Sequence, residues 1–212
     1  MKKAFDYNSH YLEKGGKPWF PVMGEFHYSR YKEMFWEESL RKMKAGGVTI
    51  VSSYIIWIHH EEEEGVFDFT GCRDLRQFLF LCKKTGVYMF LRLGPWAHGE
   101  IRNGGFPDWL KEKEGICLRC DDEVYLGYVK RYWENVFEQV KGFLYDEGGP
   151  VIGVQIENEY GHVGGLHGKN AGDGHMRTLT ALAKEIGFQV PIYTATGWGG
   201  ACIGDLLPVM GG

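Results

Sequence analysis

At 212 residues the chain is long enough for one domain with a substantial core, and 44% hydrophobic with 25% charged residues is the balance of a folded globular protein rather than a disordered one. Its 24 basic and 28 acidic residues leave a net charge of -4 with no basic stripe, which argues against nucleic acid as a partner. The basic start Met1-Lys2-Lys3 lacks the apolar run of a signal peptide, and no segment approaches the ~18 apolar residues of a membrane span, so a cytoplasmic protein making no membrane contact is expected.

After a polar start, residues 20–26 read as a strand, followed by Trp36, Leu40 and Met43 on one face of an amphipathic helix. Gly46-Gly47 stops that helix, and residues 48–57, rich in β-branched side chains, read as a buried strand. Leu75, Phe78, Leu79 and Cys82 form the next helical face, Gly86 ends it, and residues 87–93 supply a third strand. A longer helix is predicted over 122–145, carrying Tyr125, Val129, Trp133, Phe137, Val140 and Leu144. Gly148-Gly149-Pro150 breaks it ahead of a fourth strand at 151–156. Leu179, Leu182, Ala183 and Ile186 give one more helix face, and residues 190–194 begin a fifth strand before a Gly-rich tail.

This alternation of apolar strands and helices means an α/β fold with a parallel sheet covered by helices, either a (β/α)8 barrel or an open doubly wound sheet. No Gly-x-Gly-x-x-Gly follows the first strand, which weakens the dinucleotide-binding version. Polar and aromatic residues gather where strands end, at 25–28, 54–61, 92–100 and 157–160, the face on which barrel enzymes place their chemistry. Five strands do not close an eight-stranded barrel of ~250 residues, so the 212 residues are expected to be an incomplete barrel, a single domain holding about its first five βα units.

Acids at strand ends are the candidates for glycoside hydrolysis, which uses two carboxyl groups flanking the scissile bond. The strongest segment is Gln155-Ile156-Glu157-Asn158-Glu159-Tyr160-Gly161. Strict alternation would turn Glu157 and Glu159 to one side and Asn158 to the other, and a bulge at the strand end is expected to break it.

Several motifs then fall in a fixed order. Gly24-Glu25-Phe26-His27-Tyr28-Ser29-Arg30, Trp36 and residues 40–46 resemble the opening of glycoside hydrolase family 35, the β-galactosidase family. Tyr54, Trp57 and His60-Glu61 match its second strand. Leu93-Gly94-Pro95-Trp96, Glu100, Gly104-Gly105, Pro107 and Trp109-Leu110 match its third. Gly148-Gly149-Pro150-Val151-Ile152 precedes Glu157-Asn158-Glu159-Tyr160-Gly161 as it does in the family. Ile56, Leu93 and Trp96 stand where Pro, Pro and Tyr are usual.

The resemblance implies a TIM-type (β/α)8 barrel and a retaining, exo-acting enzyme that releases terminal β-D-galactose. Glu159 would be the acid/base, and the nucleophile, on a seventh strand, would lie beyond this chain. It further implies Tyr54, Glu100 and Asn158 as ligands of sugar hydroxyls, with Ala97, His98 and Gly99 lining the same loop. His98 and Gly99 replace a small Cys-Ala pair, which leaves the exact sugar open. Glu25 and Glu61 are expected as hydrogen-bonding supports and Glu157 as a structural acid. Carbohydrate is the expected partner, and no cofactor is required. The alternatives are a non-catalytic glycan-binding protein on the same fold and a truncated, inactive piece of the barrel.

No metal site is assigned. His59-His60-Glu61-Glu62-Glu63-Glu64 lacks the helical His-Glu-x-x-His spacing and reads as a solvated acidic loop. Cys117-Leu118-Arg119-Cys120 has the spacing of a zinc or redox pair, but no second pair follows, and the favoured reading is unrelated thiols. Five cysteines, Cys72, Cys82, Cys117, Cys120 and Cys202, are an odd number and fit reduced thiols better than a disulfide framework.

Overall fold

The computed structural model describes residues 4–196 and 209–211; Met1-Lys2-Lys3 and Cys202 lie outside the described residues. Three short antiparallel strands come first: β1 (Phe5–Tyr7), β2 (Leu12–Lys14) and β3 (Lys17–Trp19). The turn between β2 and β3 is Gly15-Gly16, both at positive φ, as a tight hairpin demands. Three-residue strands are too short to show alternation, so the polar start hid them.

Six parallel strands then form one sheet in sequence order: β4 (Met23–Glu25), β5 (Ile50–Tyr54), β6 (Tyr88–Gly94), β7 (Val151–Ile156), β8 (Ile192–Thr196) and β9 (Val209–Gly211). The helices are α1 (Trp36–Ala45), α2 (Trp57–His60), α3 (Leu75–Thr85), α4 (Asp108–Lys111), α5 (Glu123–Val140) and α6 (Asp173–Ile186). Strand order that follows chain order, with helices packed in series α1 on α3, α3 on α5 and α5 on α6, is the winding of a barrel rather than of a doubly wound sheet.

Two differences from the sequence reading have local causes. The long helix begins where the Asp122 carboxylate accepts hydrogen bonds from the Val124 and Tyr125 N–H groups, but stops at Val140 because Gly142 takes a left-handed φ of 85°. Leu144 and Tyr145 therefore belong to a turn rather than to the helix. The sixth strand, β9, is a three-residue pairing inside what the sequence shows only as a Gly-rich tail.

Alternation along the strands sorts the core into two sides. Val51, Met89, Leu91, Leu93, Val154 and Ile156 face the helices, where Phe78, Leu79, Val129, Trp133 and Leu179 meet them. Ile50, Phe90, Ile152 and Tyr193 form a second cluster on the inner side. Phe5 seals its lower end, 4.6 Å from Tyr145 and 5.0 Å from Tyr88 between ring centroids. Gly153 has no side chain because a β-carbon there would press on Phe90 and Tyr193, and the β6–β7 register skips Ile152 to accommodate that approach.

Glycines of opposite meaning allow a test. Gly149→Ala would drive a methyl group into the Phe143 backbone, whereas Gly127 lies on an open face of α5. Urea denaturation is expected to show Gly149→Ala less stable by about 1–3 kcal/mol and Gly127→Ala more stable by about 0.5–1 kcal/mol.

Candidate active site

Beyond Ile156 the strand gives way to a pinned turn. The Glu157 N–H donates to the Gly94 carbonyl at the end of β6 (2.7 Å), and the Glu159 N–H donates to the Ala195 carbonyl of β8 (2.9 Å). Between these anchors Glu157 and Glu159 adopt left-handed φ values of 54° and 48°. Each such residue costs about 1–2 kcal/mol, and the neighbouring strands hold it there. Alternation ends at this turn, so the two glutamates part company.

Glu157 is fully buried and turns away from the strand-end cavity, against Arg119. Arg119 Nη2 lies 2.6 Å from Glu157 Oε2 and Nε lies 3.1 Å from Oε1, a bidentate pair. Glu159 is partly exposed, and no hydrogen bond to its carboxylate occurs among the described residues. It faces a cavity of about 180 Å³ lined by Glu25, His27, Tyr54, Arg92, His98, Gly99, Glu100, Asn158, Glu159 and Ala195. The residues expected to hold the sugar thus share one cavity except Ala97, which stands behind its wall and packs with Tyr54 and Ile56.

Arg92 organises the floor. It ion-pairs with Glu25, donates from Nη2 to Asn158 Oδ1 (2.8 Å) and from Nε to Gln155 Oε1 (3.0 Å), and stacks its guanidinium 3.8 Å from the Tyr54 ring centroid. Gln155 Nε2 also donates to Asn158 Oδ1 (3.1 Å). With its oxygen occupied twice, Asn158 is left its amide N–H groups as donors for a ligand.

His27 Nδ1 accepts from the Tyr54 N–H (3.3 Å), so Nε2 carries the proton and donates to Glu25 (3.3 Å). Burial would raise the Glu25 carboxyl, but the His27 hydrogen bond and the charge of Arg92 outweigh it and hold it below the usual range. Burial, reinforced by the glutamates around it, pushes Tyr54 up to about 12, so its hydroxyl remains a donor at neutral pH. The Arg30 guanidinium donates to the Gly99 carbonyl (2.5 Å) and fixes the loop after β6, where His98, Gly99 and Glu100 all take positive φ.

The sequence does not single out Arg92 or His27, and it ranks Glu25 only as a support. The signal for Arg92 is a lone arginine within the apolar run 87–93, two residues beyond the inward-facing Phe90.

The segment after β5 is only in part the solvated acidic loop that its sequence suggests. His60 and Glu61 are fully buried, while Glu62, Glu63 and Glu64 are solvated. Glu61 accepts from Trp57 Nε1 (2.7 Å) and the Gly65 N–H (2.8 Å) and pairs with Arg131, so it is a structural acid. His60 Nδ1 lies 3.0 Å from the Asp68 carbonyl and Nε2 2.6 Å from the Tyr28 hydroxyl, a neutral imidazole bonded at both nitrogens. Among the described residues no group of three or more His, Cys, Asp or Glu is placed to hold a metal, and no helix is long and apolar enough to cross a membrane.

The sequence pattern of glycosyl hydrolases family 35 matches residues 12–199. The chain is 39% identical over 156 residues to a β-galactosidase of Mus musculus and 40% identical over 156 residues to one of Homo sapiens, in each case over 74% of this chain. It is 38% identical over 186 residues, 87% of this chain, to β-galactosidase 17 of Arabidopsis thaliana. It spans about a quarter of the length of these curated relatives, 24%, 23% and 26% respectively. Among solved structures, an endo-1,4-β-mannanase from Rhizomucor miehei superposes with a TM-score of 0.67 over 91% of this chain and 60% of its own at 15% identity. An exo-β-1,4-mannosidase from Opitutaceae bacterium strain TAV5 gives 0.64 over 86% and 32% at 18% identity. At those identities the two enzymes show the fold alone, a TIM-barrel architecture.

Two stability outcomes follow from the buried groups. Burial lowers His60 from 6.5 to about 4, so between those values the unfolded chain binds the proton and the folded one does not. Stability is therefore expected to fall as pH drops from about 6.5 to about 4, by about 3 kcal/mol; chemical denaturation across that range should show a shallower slope for His60→Gln. Glu157→Gln leaves Arg119 a buried, unpaired charge and is expected to cost about 3–5 kcal/mol, whereas Glu63→Gln on the exposed loop should change stability by less than about 0.5 kcal/mol.

Proposed function

We propose, from the premise that this chain belongs to glycosyl hydrolase family 35, that it carries the acid/base half of a retaining, exo-acting β-galactosidase site. The observation that carries this reading is the position of Glu159. Glu159 stands partly exposed at the cavity with its carboxylate unpaired among the described residues, beside an Asn158 amide oriented by Arg92 and Gln155, while its neighbour Glu157 is consumed by Arg119.

Glu159 begins the cycle protonated and gives its proton to the glycosidic oxygen as a nucleophilic Glu from beyond Gly212 attacks the anomeric carbon. The aglycone leaves, a glycosyl-enzyme remains, and Glu159 then takes a proton from the water that hydrolyses it. Within this chain, Tyr54 donates to a sugar hydroxyl from one wall, Glu100 accepts from another, and the Asn158 amide donates to the hydroxyl beside the anomeric carbon. Terminal β-D-galactose is the favoured substrate because the curated relatives are β-galactosidases. No step needs a cofactor.

The test is Glu159→Gln in the complete protein, assayed on nitrophenyl β-galactoside and on an alkyl β-galactoside whose leaving group needs protonation. Turnover of the alkyl glycoside is expected to fall by about 10²–10⁴, with a smaller loss on the activated substrate. Equal losses on both would remove Glu159 from the acid role. Galactose binding without turnover by the unaltered protein would replace the enzyme with a glycan-binding protein.

A further inference from the structure

Cys117 and Cys120, spaced as a redox pair but without a second pair in the sequence, occupy a position that the fold makes consequential. The two residues bracket a turn: the Cys120 thiol donates to the Cys117 carbonyl (3.3 Å), and the Cys117 thiol lies 3.7 Å from the His167 carbonyl. Gly168 lies against both sulfurs, with a φ of 95° and no room for a β-carbon. Cys117 is partly exposed and Cys120 is fully buried, so one thiol is open to a reagent and the other waits behind it. Burial pushes up Cys82, which has no neighbouring thiol among the described residues and is an internal control.

Between the two cysteines sits Arg119, in a left-handed φ of 59°. Its guanidinium holds Glu157, donates to the Asn158 carbonyl (3.0 Å) and the Val163 carbonyl, and lies 4.7 Å from the Trp96 ring centroid. Its own carbonyl accepts from the Tyr160 hydroxyl (3.2 Å). One residue, enclosed by the two thiols, therefore ties the loop after β6 to the turn that presents Asn158 and Glu159.

We propose that Cys117 and Cys120 are a thiol–disulfide exchange site whose oxidation displaces Arg119 and so unseats the Asn158–Glu159 turn. The Cys117 thiolate attacks a sulfur of a small disulfide such as oxidised glutathione, forming a mixed disulfide and releasing one glutathione thiolate. The Cys120 thiolate then attacks Cys117 Sγ and expels the second. The pair loses two electrons and two protons, and one glutathione disulfide becomes two thiols. Closing the bond draws the two sulfurs, which flank the same point at Gly168, to about 2.05 Å, and the Arg119 backbone between them has to rotate to permit it. The neighbouring Cys120 thiol and burial push the Cys117 thiol up to about 11, so exchange is slow at neutral pH and faster in mild alkali.

The effect on catalysis rests on the proposed glycosidase reading; the chemistry of the pair does not. The protein is equilibrated at mildly alkaline pH with glutathione of graded redox ratio, alkylated, and digested with trypsin without reduction. Cleavage after Arg119 separates the two cysteines, so peptides 114–119 and 120–130 stay joined only through a disulfide. Joined peptides reversed by dithiothreitol are expected, together with a tryptophan-emission change that is absent in Trp96→Phe and in Cys117→Ser/Cys120→Ser. Aryl galactoside hydrolysis by the complete protein should fall about tenfold on oxidation, the lower end of what loss of a supporting shell costs, and recover on reduction. The double serine variant should keep full activity and not respond. Peptides that remain free or carry only glutathione at every ratio overturn the site, and a disulfide that moves neither emission nor activity overturns the coupling. A protein with no hydrolytic activity under reduction fails the functional reading alone, because the peptide and emission results still decide this one.

Discussion

A guanidinium placed among apolar strands needs partners on every side, and Arg92 finds them on three other strands or strand ends at once. Glu25 comes from β4, the Tyr54 ring from β5, and Gln155 and Asn158 from β7 and the turn beyond it. Removing a charge from water costs several kcal/mol unless geometry and hydrogen bonding compensate, so the ends of these strands are not free to shift independently. The cavity keeps its shape for the same reason that Arg92 tolerates burial.

The other buried charges divide the labour. Glu61 with Arg131 and Glu157 with Arg119 lie outside the cavity and lock the segments that follow β5 and β7. Such pairs add little net stability against an apolar replacement, but either partner alone is costly. Their presence removes two strand-end glutamates from the chemistry and leaves Glu25, Glu100 and Glu159 at the pocket. Of these Glu25 is engaged by Arg92 and His27, so the pocket offers a ligand chiefly Glu100, Glu159, the Tyr54 hydroxyl and the Asn158 amide. That set suits a neutral, hydroxyl-rich ring.

The path to this arrangement begins in ordinary patterning. Strands β5, β6 and β7 are buried on both sides, and their residues sort to the helices or to the inner cluster by alternation alone. The small N-terminal sheet contributes Phe5 and Trp19 beneath that inner cluster, so the lower end is apolar and the polar groups concentrate at the opposite end. The positive-φ residues Glu157 and Glu159 belong to that end too, held there by β6 and β8 on either side.

By itself the sequence determined the α/β order, five of the parallel strand positions to within a few residues, the family, and the segments from which the cavity is built. Those features are local: period, glycine stops and short motifs act over a handful of residues. It also separated Glu159 from Glu157 by resemblance, without the means to show how. Only the tertiary structure decided that Glu157 and Glu61 are bound by arginines 38 and 70 residues away in the chain, that Arg92 orders the floor, and that Cys117 and Cys120 flank an anchor of the turn that carries Asn158 and Glu159. Burial and charge pairing arise between segments remote in sequence, and no pattern within one segment records which distant partner will reach it.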